Sequence, residues 1–232
     1  MPTTIPANYD LFETNGDAYF TLPSGFSIPA GFFHKGSAPW AGLIRFAGYP
    51  IRKFEDPRTG KEHKTGRTDT IVHRKQDVTI KSVGGSGTTE IELVQLSLRS
   101  YRPIEVHVGR GVQCWDVQVS VSRSKPSAGS MTITQTSEHG GQFASELVVW
   151  PLFRFERQSD GEERLLDLGA LQIPAEKQAL VARINTQQAA EVEWQDSPLV
   201  DALAIPELTG RFAVPAIHHQ SHNVASVSTL RQ

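Results

Sequence analysis

Cys114-Trp115-Asp116-Val117-Gln118-Val119-Ser120-Val121 is the stretch on which the fold turns. Val117, Val119 and Val121 alternate with Gln118 and Ser120, the period of two that buries one face of a β-strand and leaves the other in water. Met131 and Ile133 repeat the pattern against Thr132 and Thr134. Residues 88–99 form a longer run that changes phase: Ile91 and Leu93 share one parity, Val94, Leu96 and Leu98 the other. A buried face that switches in mid-strand predicts a bulge, or a strand lying between two packed layers. Residues 143–149, 152–155 and 164–168 read as three further strands. Turn chemistry separates them: Gly84-Gly85-Ser86-Gly87, residues 124–129, Gly140-Gly141 and Ser159-Asp160-Gly161. Short strands at this spacing predict an all-β protein built of antiparallel β-sandwich layers. Two packed β-lobes are one form of it: an aromatic-rich lobe over 1–123 and a second over 124–214, with an irregular tail over 215–232; a single domain is the other.

One segment competes for helix. Residues 174–190 open on Pro174 and Glu176 and are rich in helix formers. Yet Ala179, Val181 and Arg183 against Leu180, Ala182 and Ile184 give no amphipathic stripe. Helix and strand both stay open there, with strand favoured by the β surroundings.

The chain has 232 residues and a mass of 25.5 kDa, enough to bury a core without a disulfide or metal staple. Its single cysteine, Cys114, excludes an intramolecular disulfide and any cysteine-based zinc or iron–sulfur centre. Charged residues at 21% and hydrophobic ones at 38% exclude a wholly disordered chain and argue against a membrane span. A net charge of −2 does not suit a dedicated nucleic-acid binder. Met1 to Asp10 has neither the basic nor the apolar region of a signal peptide.

Aromatic residues and charges are unevenly spread. Residues 1–54 hold 11 of the 19 aromatics, and the first valine is Val72. Rings filling a core face in place of branched aliphatics explain this better than an exposed partner surface. Phe32 and Phe33, read as strand neighbours, should point to opposite faces. Residues 52–75 carry eight basic residues against four acids, whereas residues 160–201 carry nine acids against Arg164, Lys177 and Arg183. Such regions are solvated loops or complementary patches for head-to-tail association. On the second reading Arg58, Lys61 and Lys64 would meet Glu162, Glu163 and Asp167 of another copy.

Several segments carry a resemblance: Ile28-Pro29-Ala30-Gly31-Phe32-Phe33, Gly36-Ser37-Ala38-Pro39-Trp40, Gly48-Tyr49-Pro50-Ile51, Thr68-Asp69-Thr70-Ile71-Val72-His73-Arg74, the run 91–97, and Gly140-Gly141-Gln142-Phe143. Together they resemble a group of uncharacterised bacterial β-rich proteins, many of them exported. The resemblance implies a β fold and an extracytoplasmic location. It brings no activity and no catalytic residue.

The candidate chemistry is sparse. His218-His219-Gln220-Ser221-His222 is the densest imidazole cluster, and imidazoles ligate zinc, copper and nickel. No glutamate stands in the HExxH position, and surface or subunit-contact histidines are the competing account. Asp69 and His73 fall on one face of a strand, but no Gly-x-Ser-x-Gly nucleophile elbow accompanies them. The glycines at 84–87 lack the strand–loop–helix context of a phosphate site and read as a turn. Cys114 reads as a small buried side chain, and at least three of Trp40, Trp115, Trp150 and Trp194 as core. No cofactor motif is present. The leading expectation is a non-catalytic structural protein that self-associates, as a homo-oligomer or with other subunits, through strand edges and charged patches. A carbohydrate- or protein-binding module is the first alternative, and a histidine-based metal enzyme the second.

Overall fold

The structure is a computed structural model, and it describes residues 2–12, 14, 18–21, 27–57, 60–138, 140–171, 183–187 and 192–193. Among these residues every regular element is a strand. In chain order they are β1 (Thr3–Ile5), β2 (Tyr9–Phe12), β3 (Ala18–Thr21), β4 (Leu43–Gly48), β5 (Arg52–Asp56) and β6 (Lys61–Gly66). Next come β7 (Thr70–Arg74), β8 (Val78–Ile80), β9 (Ser86–Leu96), β10 (Leu98–Ser100), β11 (Ile104–Val108) and β12 (Gly111–Val121). The last are β13 (Ser127–Ser137), β14 (Gly140–Val148), β15 (Pro151–Arg157), β16 (Glu163–Asp167), β17 (Arg183–Gln187) and β18 (Val192–Glu193). β17 settles residues 183–187 as strand; the rest of the ambiguous 174–190 segment lies outside the described residues, as does the tail from 215.

The alternation in β12 and β13 does what its period requires. Trp115, Val117 and Val119 are buried, as are Met131 and Ile133, while the residues between them reach toward solvent. Two seven-stranded sheets result. The first runs β17-β14-β13-β9-β7-β2 with β18 also on β14; the second runs β16-β15-β12-β10-β4-β3 with β11 also on β12. All pairings are antiparallel. Ile91, Leu93, Ile133 and Phe143 of the first sheet share one core cluster with Phe46, Trp115, Val117 and Phe153 of the second, which makes the pair a sandwich. The expected boundary at residues 123 and 124 does not separate the strands: β9 pairs with β13 and β12 with β15 across it.

The phase change has both of its expected causes. Val72 faces Leu93 and Ile71 faces Gln95, so Val94 is the extra residue of a bulge. Leu93 and Leu96 keep to the interior, whereas Val94 turns to the outer face beside Tyr9, Leu11, Phe54 and Ile71. One residue further on, Ser97, the chain leaves the first sheet as β9 and enters the second as β10. The hairpin β5–β6 covers that outer face, with Phe54 set edge-on to Tyr9 at 5.0 Å between ring centroids. On β13, Gly129 has no room for a side chain, because a Cβ there would lie 1.8 Å from the carbonyl oxygen of Glu146.

Of the N-terminal rings, Tyr9, Phe12, Phe33, Phe46 and Phe54 are buried in the core, as their composition suggested, Phe32 and Trp40 are half-buried, and Tyr49 is exposed. Phe32 and Phe33 depart from expectation. They sit in a turn-and-bend segment, not a strand, so adjacent rings need not diverge. Both reach Phe155, at 5.8 and 5.1 Å between centroids, and Phe33 also lies 5.2 Å from Trp115. Phe33 is sealed and Phe32 partly buried against the same core.

At one end of the first sheet a charged pair is sealed in. Arg74, 1% exposed, donates through Nε to Asp10 at 2.8 Å and through Nη1 to the Pro6 carbonyl at 2.8 Å. Burial pushes the Asp10 carboxyl above the usual carboxylate range, and the Arg74 charge and hydrogen bond pull against that shift.

Candidate functional site

β16 is the last strand of the second sheet, bonded on one side to β15 and on the other to no described strand. Its sequence, Glu163-Arg164-Leu165-Leu166-Asp167, is apolar at two successive positions, so both faces of the strand carry a leucine. Leu166 packs against the core from the inner face, and Leu165 on the outer face is 61% exposed. A groove of about 1070 Å³ lies against this strand and reaches back over β15 to Ser120 of β12, lined by Ile28, Phe32, Leu152, Leu165, Leu166 and Leu171. Arg123, Arg154, Glu163 and Asp167 stand in its wall.

The acids expected to face another copy are on this strand and the turn before it, and each has a partner within its own chain. Arg157 holds Asp160 at 2.6 and 2.8 Å and also meets Glu162. Glu162 is shared with Arg164, and Glu163 pairs with Arg154. The Asp167 carboxylate accepts from the Ser124 hydroxyl at 3.0 Å and from the Gly169 backbone N–H at 2.9 Å. The Arg157 guanidinium holds the Asp160 carboxyl down to about 2, and the Arg154 guanidinium keeps Glu163 below its usual range. Burial pushes Asp167 up, but its hydrogen bonds outweigh this and leave it lowered.

The sign for Asp160 follows directly. A carboxyl lowered from 3.8 to about 2 stabilises the folded chain fully above 3.8, and that support is lost as the pH falls through about 2. Asp160→Asn should therefore be less stable than wild type at neutral pH, with the two chemical unfolding curves converging as the pH is lowered from 4 to 2. Parallel curves over that range would show that the pair contributes nothing.

Of the basic partners, Arg58 lies outside the described residues. Lys61 and Lys64 are exposed on β6, in the hairpin over the outer face of the first sheet, and Lys53 beside them pairs with Glu62 at 2.7 Å. The lysines and the acids thus belong to different layers and are not brought together within one copy. His218, His219 and His222 lie outside the described residues. Among the described residues no group of three or more His, Cys, Asp or Glu side chains is placed to hold a metal ion. No helix among them is long and apolar enough to cross a membrane.

The remaining candidates have structural partners. Asp69 is buried and accepts from the Thr14 backbone N–H at 2.7 Å and from the Thr14 and Thr70 hydroxyls at 3.0 and 2.7 Å. His73 is instead stacked on Tyr9, with 4.7 Å between ring centroids. Gly84 and Gly85 form the expected turn, Gly84 at φ +84° and Gly85 donating to Ser82. Cys114 is half-buried rather than sealed. Trp115 and Trp150 are core, Trp40 is half-buried, and Trp194 lies outside the described residues.

Comparisons with protein-family models, with curated proteins and with solved structures find no match for this chain. Two surfaces escaped the reading of the sequence. One is the β16 groove, whose signal was the adjacent pair Leu165-Leu166 in a short strand. The other is a set of arginines and tyrosines on the outer face of the second sheet, signalled by Arg99-Ser100-Tyr101-Arg102.

Proposed function

We propose that this chain is a non-catalytic structural protein that self-associates, a strand of a second copy adding to the open edge of β16. The observation that carries the reading is the apolar groove against that strand. Strand addition supplies main-chain hydrogen bonds to an unpaired edge, and pockets beside it take alternate side chains. Leu165 and Leu166 on opposite faces of one strand offer that arrangement on both sides of the edge. Lys61 and Lys64 on the other layer, with Glu162, Glu163 and Asp167 around β16, add complementary signs on surfaces that can meet only between copies. Because the acids are already paired internally, charge serves orientation here, and the apolar groove supplies the larger share of the attraction.

The test is sedimentation of the full chain at tens of micromolar. Wild type should be oligomeric, and Leu165→Lys, which places a charge on an exposed position of the edge, should be monomeric with an unchanged unfolding midpoint. A strictly monomeric wild type, or an oligomer indifferent to Leu165→Lys, would overturn the proposal.

A further inference from the structure

The outer face of the second sheet carries a second surface, at the end farthest from β16. Arg45 on β4 and Arg99 on β10 are both exposed, and each lies over a tyrosine ring. The Arg45 guanidinium is 4.8 Å from the centre of Tyr101, and that of Arg99 is 5.9 Å from the centre of Tyr49. Tyr101 and Tyr49 are themselves 53% and 44% exposed. Backbone pairing fixes this arrangement, since Tyr101 donates its N–H to the Arg45 carbonyl at 3.0 Å and Arg99 stands opposite Ala47. Beside it is an open groove of about 730 Å³ lined by Trp40, Leu43, Arg45, Tyr101, Arg102 and Glu105. Neither Arg99 nor Arg102 forms an ion pair among the described residues.

A guanidinium stacked on a ring keeps its N–H edge outward, set for the two oxygens of a carboxylate. The tyrosine rings beside it offer apolar faces on which a flat ring with axial C–H bonds can lie. Immediately across the sheet the charges are paired with one another. Gln118 stands opposite Arg99 and accepts from Arg154, which also pairs with Glu156 and Glu163, while Asp116, opposite Glu156, accepts from the Gln158 amide. The carboxylates there accept hydrogen bonds from hydroxyls, and Arg154 among them is already neutralised by Glu156 and Glu163, which leaves, among the described residues there, no unpaired cation for a phosphate. Cations with aromatic rings at one end, and acceptors at the other, fit a chain of hydroxyl-rich rings bearing one carboxylate each. They do not fit a polymer with a phosphate at every unit, which needs a cationic groove along its whole length.

We infer that this face binds an acidic polysaccharide of the uronate class, Arg99 and Arg102 taking the carboxylate and Tyr101 the sugar ring. The site is independent of strand addition at β16.

The test is calorimetric titration of the full chain at low salt with an oligogalacturonate, a neutral cello-oligosaccharide of equal length and a single-stranded oligothymidylate. Wild type should bind the oligogalacturonate at least tenfold more tightly than either other probe. Arg99→Gln with Arg102→Gln, and separately Tyr101→Ala, should each weaken it at least tenfold. All these positions are exposed, so unfolding midpoints should stay at the wild-type value; Arg99→Gln alone serves if the double variant does not fold. No oligogalacturonate binding, equal binding of the neutral sugar, tighter binding of the oligothymidylate, or variants that bind like wild type would each overturn the inference.

Discussion

Arg74→Met is expected to remove about 3–5 kcal/mol of stability, read from urea unfolding at neutral pH. Among the described residues the guanidinium is the cation that pairs with Asp10, both side chains being buried, and methionine fills a similar volume without its charge or its two hydrogen bonds. What is lost is chiefly the compensation of a buried carboxylate, not the net worth of the pair. Two further measurements separate these. In the double variant Asp10→Leu with Arg74→Met no charge is left stranded, and most of the loss should be recovered. Acid should also narrow the deficit of the single variant. Without Arg74 the Asp10 carboxyl loses the charge and hydrogen bond that pull it down, so it lies higher in the variant than in wild type; the variant takes up its proton first as the pH falls, and its stability rises toward that of wild type. A double variant as unstable as the single one would show that Arg74 acts by packing alone.

Phe33→Ala is expected to cost about 3–5 kcal/mol, and Phe32→Ala clearly less. Phe33 is 0% exposed and wedged among Trp115, Phe155 and Phe32, all within the same layer of rings. Truncation would leave a cavity walled by large, stiff side chains that cannot collapse into it. Phe32 lies at the rim of that layer, and its loss exposes surface instead of opening a void. Equal losses from the two substitutions, measured by thermal unfolding, would refute this division between void and rim.

The difference between these phenylalanines was hidden in the sequence for a physical reason. Opposite faces follow for neighbours only in an extended strand, and Ile28–Phe33 contains the Pro29 and Gly31 that turn the chain. Where periodicity was clean, in Val117–Val121 and Met131–Ile133, both element and buried face were legible. The shift between Leu93 and Val94 was legible too, since a change of parity has few structural causes. Which strands pair across the fold was not. Sandwich topology rests on contacts between residues far apart in sequence, and no local pattern records that β13 lies against β9. For the same reason the charge runs were visible as composition, whereas the internal pairing of Asp160, Glu162 and Glu163 with nearby arginines appears only when β15 and β16 lie side by side. The arginine–tyrosine surface needs β4 beside β10, and neither strand announces it alone.

The passage of the chain through Ser97 bears on how this protein is made. β9 and β10 enter different sheets within the first 100 residues, yet β13 beside β9, β12 beside β10 and β15 beyond it are still to come. At about 5–20 residues per second, the roughly 60 residues from Leu96 to Arg157 take about 3–12 s to emerge from a ribosome. Through that interval Ile91, Leu93 and the aromatic residues before them have only β3, β4 and the short β10 of the opposing layer, whose central strands β12 and β15 are still to come. Closure of the sandwich waits for its later half, so the nascent chain, more than the finished fold, is where a chaperone would find its binding site.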